Sequence, residues 1–561
     1  MDNSKIIVNP NDNPEISSMP KELFKELPDR TDIHDAAFET KPVSFLKDSF
    51  SRFVKNKGSV VGAIVILLIA LYAIVTPLVS PFAKIAAANP IDYPSGFGDT
   101  HYSNVLPYAE MFKGTGFWDG TTTKTLNKEK YEMALLNDSN HPYVEKLLSV
   151  DVQQIGMSKT EMYTFRANSY FENNIDKEIK LSQSEFEALE AYDLEHNTEE
   201  TRIMKKMVDV DGYLADYRTY LESKGTYEEN SINKTLDAMR NYYITNNKSA
   251  FYAITAEIKG QLTDIVGKFK PIYNTDGSVQ TIYKKDASGN EVRYEVLGSG
   301  QIQVRVDYFD YFTYLRGFKP YYLFGANSQG KDICLRLAQG TCFSLLLGIV
   351  ISAINFIIGL IWGAISGYYG GYVDLTMERI TDIISNIPSL IILTITSVQF
   401  TNNPIFSTDS MKGWTIILSF LIAFVYSGWI GVAGTTRMQF YRFKGQEYVL
   451  ASRTLGAKDS RLIFKHILPN AAGTLVTSSV LMIPSVIFSE STLSYLGIVD
   501  FDQGNLSSIG TLLNEGQLFI KDYPHEILFP CIIISLLMIC FNLFGNGLRD
   551  AFNTSLKGAE D

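Results

Sequence analysis

Ser59–Ser80 reads SVVGAIVILLIALYAIVTPLVS, twenty-two residues with no charge among them. About 20 apolar residues in a helix cross the ~30 Å hydrocarbon layer of a bilayer. A helix can do so because it pairs its own backbone N–H and C=O groups where no water is present. Working outward, five more segments meet that standard: about Thr341–Ser366, Ile380–Val398, Trp414–Val432, Ala472–Phe488 and Ile527–Phe544. The third is the least regular, because Glu378, Arg379 and Asp382 load its first turns. A cleaved leader is not expected. Some 58 residues precede the first apolar run, and that run exceeds the ~7–15 residues of a signal core, despite Ala86-Ala87-Ala88 beyond it.

The 561 residues are polarised along the chain. Ala83–Pro320 is rich in Tyr, Asp, Glu, Asn and Lys, with 27 Lys+Arg against 35 Asp+Glu. Met1–Thr40 has 4 Lys+Arg against 9 Asp+Glu. The formal charge of the whole chain is −11, so the remaining, apolar part is slightly positive, the sign that an anionic lipid surface favours. Nothing in this balance points to nucleic acid. Basic residues crowd before the first span (Lys41, Lys47, Arg52, Lys55, Lys57). They crowd again between the fourth and fifth (Arg437, Arg442, Lys444, Arg453, Lys458, Arg461, Lys465). The loops Thr401–Gly413 and Glu490–Glu526 hold one lysine each. Positive residues stay inside. Both termini are therefore expected in the cytoplasm, 83–323 outside, and the chain multi-pass in the cytoplasmic membrane.

The expected organisation is a disordered cytoplasmic tail (1–42), an amphipathic interfacial helix (43–57), a first span (58–82) and an inserted domain (83–323). A five-helix core (324–553) and a short cytoplasmic tail (554–561) follow. Before the first span, Val43, Leu46, Phe50, Phe53 and Val54 recur at helical spacing with Lys47, Arg52 and Lys55 between them. This fits a helix lying on lipid, or equally a plain extension of the span. In the insert, about Lys128–Phe269 has a helical pattern. The runs VQTIYKK, EVRYEVL and QIQVRVDYF, separated by glycine-containing breaks, predict an antiparallel meander. All four cysteines (Cys334, Cys342, Cys531, Cys540) lie in or beside apolar segments, so the insert must fold without disulfides. Cys334 is expected to be the most accessible of them.

Gly325-Ala-Asn-Ser-Gln-Gly330-Lys331 opens like a phosphate-binding loop, but Asp332 stands where a hydroxyl should reach magnesium. An acidic group there repels phosphate. The chain is therefore expected to bind no nucleotide, metal or other cofactor. More informative is Glu447–Pro469, EYVLASRTLGAKDSRLIFKHILP. It reads as two short helices around a turn at Leu455-Gly456-Ala457. Glu447 and Ala451 share one face, and Pro469 stands where the fifth span begins. Spacing alone does not choose between a docking element and a solvated basic loop. Within the spans, Asp382, Asn355, Asn386 and Glu490 are the candidates for lining a translocation path. The residue pattern favours an Arg379–Asp382 pair and helix–helix hydrogen bonds for the two asparagines.

Glu447, Gly456 and Ile467-Leu468-Pro469 resemble the EAA loop of ABC importer permeases, with Tyr448-Val449 in place of the two alanines. Further segments resemble the C-type subunit of the oligopeptide/dipeptide permease family: FGANSQGKDICLRL, GYYGGYVD (Gly367–Asp374), ESTLSYLG (Glu490–Gly497) and FNLFGNGLRDAFN (Phe541–Asn553). The likeness covers about Val43–Pro81 and Phe324–Asn553 and leaves the insert out. It implies an all-α polytopic membrane protein with six transmembrane helices and a type I importer core, carrying an inserted mixed α/β extracytoplasmic domain. It also implies a B-type permease partner, two cytoplasmic ATPases that use ATP and Mg2+, and an extracytoplasmic substrate-binding protein. Under this resemblance Arg437–Pro469 is the coupling loop, with Glu447, Ala451, Leu455, Gly456, Ala457 and Pro469 its contact residues. The expected cargo is an oligopeptide. The alternatives are a dipeptide, a nickel chelate, an oligosaccharide or, in another class, a membrane-anchored sensor.

Overall fold

The computed structural model describes residues 45–552, apart from 91, 94–95, 136–140, 156–157, 173–175, 224, 226–227, 247–251, 255–268, 272–282, 405–410 and 502–505. The expected terminal tails lie outside the described residues. Five long apolar helices form the membrane bundle: Lys57–Val79, Ile333–Tyr369, Gly413–Lys444, Asp459–Tyr495 and His525–Phe552. The third expected span is a bent pair, Gly371–Ser385 and Ser389–Thr401, meeting at 68°. The break falls at Asn386-Ile387-Pro388. Proline lacks an N–H and disfavours helical backbone in the residue before it, so the ladder stops there.

The helix Phe45–Lys55 precedes the first span and is separated from it by Asn56. The Asn56 side chain accepts from the Ser59 N–H at 3.3 Å and caps the span. Phe53 packs edge-on against Phe544 of the last span, while Phe50 and Val54 stay exposed. The second and fourth spans approach along a stripe of small residues. A Cβ on Gly359 would stand 2.6 Å from Trp429 O, and one on Gly363 2.3 Å from Ala433 O. Small residues four apart let two backbones meet where no hydrophobic drive separates helix from lipid.

The insert holds three sheets among its described residues, the smallest a two-stranded antiparallel pair of β6 (Tyr252–Ile254) and β7 (Phe269–Pro271). β1 (Thr121–Asn127), β3 (Ser158–Asn168) and β2 (Val144–Ile155) form an antiparallel sheet in the order β1-β3-β2. Lys128–Leu135 is the helix expected there, but the strands correct the helical reading over Val144–Asn168. Val150 and Val152 on β2, and Tyr163 and Phe165 on β3, alternate with polar neighbours at period two. Helices do follow, at Gln183–His196, Val210–Ser223 and Glu229–Asn246. In the second sheet β9 (Ile302–Asp307) is central. β4 (Asp176–Leu181) lies along one edge, and β8 (Tyr294–Val296) and β5 (Met204–Lys205) share the other. The β8–β9 half of the expected meander is present. Its first run lies mostly outside the described residues.

An aromatic cluster joins the insert to the bundle. Phe82, just past the first span, stacks on Tyr322 with ring centroids 4.7 Å apart, and Tyr102, Tyr170 and Phe312 bury around them. Buried aromatics of this size dominate core energetics. The nucleotide-loop look-alike belongs to the same joint. Gly330 has φ +69°, and a Cβ there would lie 1.8 Å from Asp99 O. Gly98 bridges Lys331, and Asn104 N donates to Asn327 O at 3.0 Å. The glycines serve close backbone approach. Lys331 is buried and Asp332 caps the second span through the Cys334 N–H at 3.0 Å. Cys334 is therefore buried at 7 % exposure, against the expectation that it would be the most accessible cysteine; Cys531 is the exposed one.

Candidate functional site

The loop between the fourth and fifth spans folds as two arms around a tight turn. The first arm is the helix Glu447–Thr454. Glu447 sits in its first turn, where the helix dipole favours a negative group, and is solvent-exposed with Ala451. Gly456 takes φ +83°. Its N–H bonds Arg453 O at 2.9 Å and the Ala457 N–H bonds Ser452 O at 3.1 Å. This pair of bonds closes a helix end through a left-handed residue, which glycine adopts without steric cost.

The second arm does not stop at Pro469. It runs from Asp459 into the fifth span as one 37-residue helix. A π segment at Leu462–Ile467 comes just before Pro469, whose missing N–H and ring would clash with a regular ladder. Val449, Leu462 and Ile467 bury with Tyr368 and Phe440, with Ala457 packed against them, so the loop is docked on its own bundle. Its outward side is apolar: Leu455 is 88 % exposed, and Tyr448, Leu450 and Phe464 are exposed as well. Contiguous exposed apolar side chains rimmed by charge mark interaction surfaces.

A charged corner beside the loop went unnoticed in the sequence. Asp374 accepts from Arg437 Nε at 2.6 Å and Arg437 Nη2 at 2.7 Å, from Tyr441 at 2.6 Å, and from Ser366. Paired guanidinium–carboxylate bonds fix orientation as well as energy. Lys444 Nζ donates to Gly367 O at 2.8 Å, supplying a partner for a carbonyl in the last turn of the second span. A separation of 63 positions hides the pair Asp374 and Arg437 from any local pattern. The only signal was that Asp374 ends GYYGGYVD.

The four candidate path residues fall into two groups. Glu490 is fully buried and accepts from Ser344 at 2.8 Å and Ser494 at 3.2 Å, tying the fifth span to the second. Asn355 is buried too and donates to Phe424 O at 3.3 Å, a bond between helices as its reading favoured. Asp382 and Asn386 lie exposed on the broken span. Asp382 pairs with Arg379 at 3.1 Å. Asn386 donates to Asp382 O of its own helix at 2.6 Å, in place of the expected helix–helix bond. Beside the break a cleft of about 310 Å³ opens between the broken, fourth and fifth spans, lined by Ser389, Leu393, Phe424, Phe488, Ser489 and Thr492.

At the insert end, Arg336 of the second span is buried and donates to Glu515 of the helix Ile509–Gln517 through Nη1 and through Nη2, the latter at 2.8 Å. Asn327 Nδ2 joins the same carboxylate at 3.1 Å. Burial alone would raise the Glu515 pKa; the Arg336 hydrogen bonds and charge outweigh it and hold the carboxyl below its ordinary value.

A bundle of six apolar segments, one of them broken beside a cleft, with an apolar-tipped helical loop and a domain inserted after the first span, defines a multi-pass membrane permease. Residues 359–558 match the family of binding-protein-dependent transport system inner membrane components, and residues 44–93 match the N-terminal TM domain of oligopeptide transport permease C. The chain is 40 % identical over 234 residues to the Bacillus subtilis oligopeptide transport system permease protein OppC, covering 42 % of this chain and 72 % of that protein. It is 34 % identical over 243 residues to the Lactococcus lactis dipeptide transport system permease protein DppC, covering 43 % and 66 %. Among solved structures, it is similar at 16 % identity to a chain of the MetNI methionine ABC transporter, over 39 % of this chain and 96 % of that one, with a TM-score of 0.30. The chain belongs to the oligopeptide/dipeptide permease family of ABC importers, as its C-type subunit, and is a protein of the inner membrane.

Proposed function

We propose that this chain forms half of the membrane path of an ATP-driven oligopeptide importer. The observation that carries the reading is the docked helical loop with Leu455, Leu450 and Tyr448 presented outward, in a chain of this family. A cytoplasmic ATPase seats on that surface, and Glu447, Ala451, Gly456 and Ala457 shape it. The chain binds no nucleotide itself; its two ATPase partners use ATP and Mg2+. A B-type permease completes the path against the exposed face of the broken span, where Asp382 and Asn386 stand. Both termini and Arg437–Pro469 are cytoplasmic, and the insert is extracytoplasmic, where a substrate-binding protein delivers peptide. Asn355 and Glu490 hold helices together.

The test is reconstitution. The chain is co-expressed with its B-type and ATPase partners, purified as a complex and placed in proteoliposomes with the binding protein. ATP-dependent accumulation of a labelled oligopeptide is expected. ATP hydrolysis without oligopeptide uptake, together with uptake of a dipeptide, would transfer the assignment to the shorter substrate. Co-purification of a kinase in place of ATPases would overturn it.

A further inference from the structure

One phenol ties both arms of the loop to the second span. Tyr368 is the penultimate residue of the helix Ile333–Tyr369, and its ring is buried among Phe440, Val449, Leu462 and Ile467. Its hydroxyl donates to Asp459 Oδ1 at 2.6 Å and accepts from Arg453 Nη2 at 3.4 Å. The Arg453 guanidinium also lies 5.7 Å from the Tyr368 ring centroid. Arg453 and Asp459 stand three residues before and three residues after Gly456, one at the end of the first arm and one at the start of the second. A single oxygen from another helix therefore ties both arms.

That helix is 37 residues long, about 55 Å at the usual rise, and its far end carries Arg336, bound to Glu515 beside the joint of the insert. A force on the loop needs a stiff, specific attachment to reach the span. Apolar packing alone permits sliding, whereas a directional hydrogen bond to a carboxylate does not. We propose that Tyr368 is the positioning residue that makes the coupling loop and the second span move as one body, so that displacement of the loop by an ATPase is delivered to the insert side of the protein. This rests on the coupling role given to the loop above.

The test uses the full complex in proteoliposomes and reads peptide taken up per ATP hydrolysed. Tyr368→Phe keeps the ring and removes only the hydroxyl. Its uptake per ATP is expected to fall about three-fold or more, since a hydrogen bond to a charged group is among the stronger ones. Asp459→Ala should fall likewise, and Asp459→Asn, which keeps an acceptor oxygen, should recover most of the ratio. The double variant Tyr368→Phe/Asp459→Ala should be no worse than the poorer single, because Tyr368→Phe already removes the bond that Asp459→Ala removes. A Tyr368→Phe complex that couples as well as wild type, or a double variant whose defect is the product of the two singles, would overturn this inference and leave the loop's role standing. A wild-type complex whose hydrolysis drives no uptake would overturn both.

Discussion

Replacing Gly456 tests the turn on which the loop depends. Its φ of +83° lies where an L-residue pays ~1–2 kcal/mol, asparagine less and a β-branched residue more. A Cβ there meets no atom of this chain within 4 Å, so the cost is conformational and any effect of bulk falls on a partner. Displacing the turn breaks the bonds to Arg453 O and Ser452 O, and a change of 1–2 kcal/mol alters the population of the docked arms by a factor of ~5–30. Of the turn only Ala457 packs on the buried cluster of Val449, Leu462 and Ile467, which are themselves outside it, so the bundle stays folded. Gly456→Asn should therefore transport almost as wild type, Gly456→Ala less, and Gly456→Val about five-fold less or worse. All should be present at similar abundance. The assay is uptake and ATP hydrolysis by the reconstituted complex, normalised to this subunit. Equal uptake by the Asn and Val variants would refute the conformational argument, and normal uptake by Val would remove the loop from the coupling path.

Glu515→Ala should destabilise the bundle by ~3–5 kcal/mol, read as a lower melting temperature in detergent, because it removes the carboxylate that compensates the buried Arg336 charge. The folded-state pKa of Glu515 is lowered, so the stability it contributes is full above the ordinary carboxylate pKa and drains away as pH falls through the folded value; the acid limb of a melting profile should flatten in Glu515→Gln. Gly363→Leu should prevent close approach of the second and fourth spans, and loss of the folded protein from membranes is the expected readout. An isolated fragment 88–319 omits Phe82 and Tyr322 from the aromatic joint. It should melt at a lower temperature than a fragment 81–324, with calorimetry as the check. An epitope at Asn290, in an exposed turn, should be reachable only from outside intact cells.

The spans were legible because uninterrupted apolar length is a one-dimensional signal, and the irregular third one announced itself through Glu378, Arg379 and Asp382. Pro388 carries the signal of its break, since the residue before a proline disfavours helical backbone. The β2–β3 hairpin was misread because the acidic, leucine-rich helices that follow set the texture of the whole stretch, although Val150 and Val152 alternate locally. The loop's turn was readable from Gly456 alone, since few residues tolerate its backbone. The continuity of its second arm through Pro469 was not, because a π segment leaves no mark in side-chain spacing. Asp374 with Arg437, Arg336 with Glu515 and Tyr368 with Asp459 all join distant parts of the chain, and only the folded bundle brings them together.

The bridge from Gly98 to Lys331 has a consequence for how this protein could have come to carry so large an insert. The chain leaves the bundle and returns to it through two segments joined by a single antiparallel bridge, with the Asp99 N–H also bonding Gly330 O at 3.2 Å, so the entropy of closing the excursion is settled at its neck. Lengthening a loop already pinned at its base costs only ~0.6 kcal/mol for each doubling. The neck therefore works as a socket. A longer or shorter outer domain adds little closure cost, while the aromatic joint around Phe82 and Tyr322 still ties what stands on the neck to the bundle.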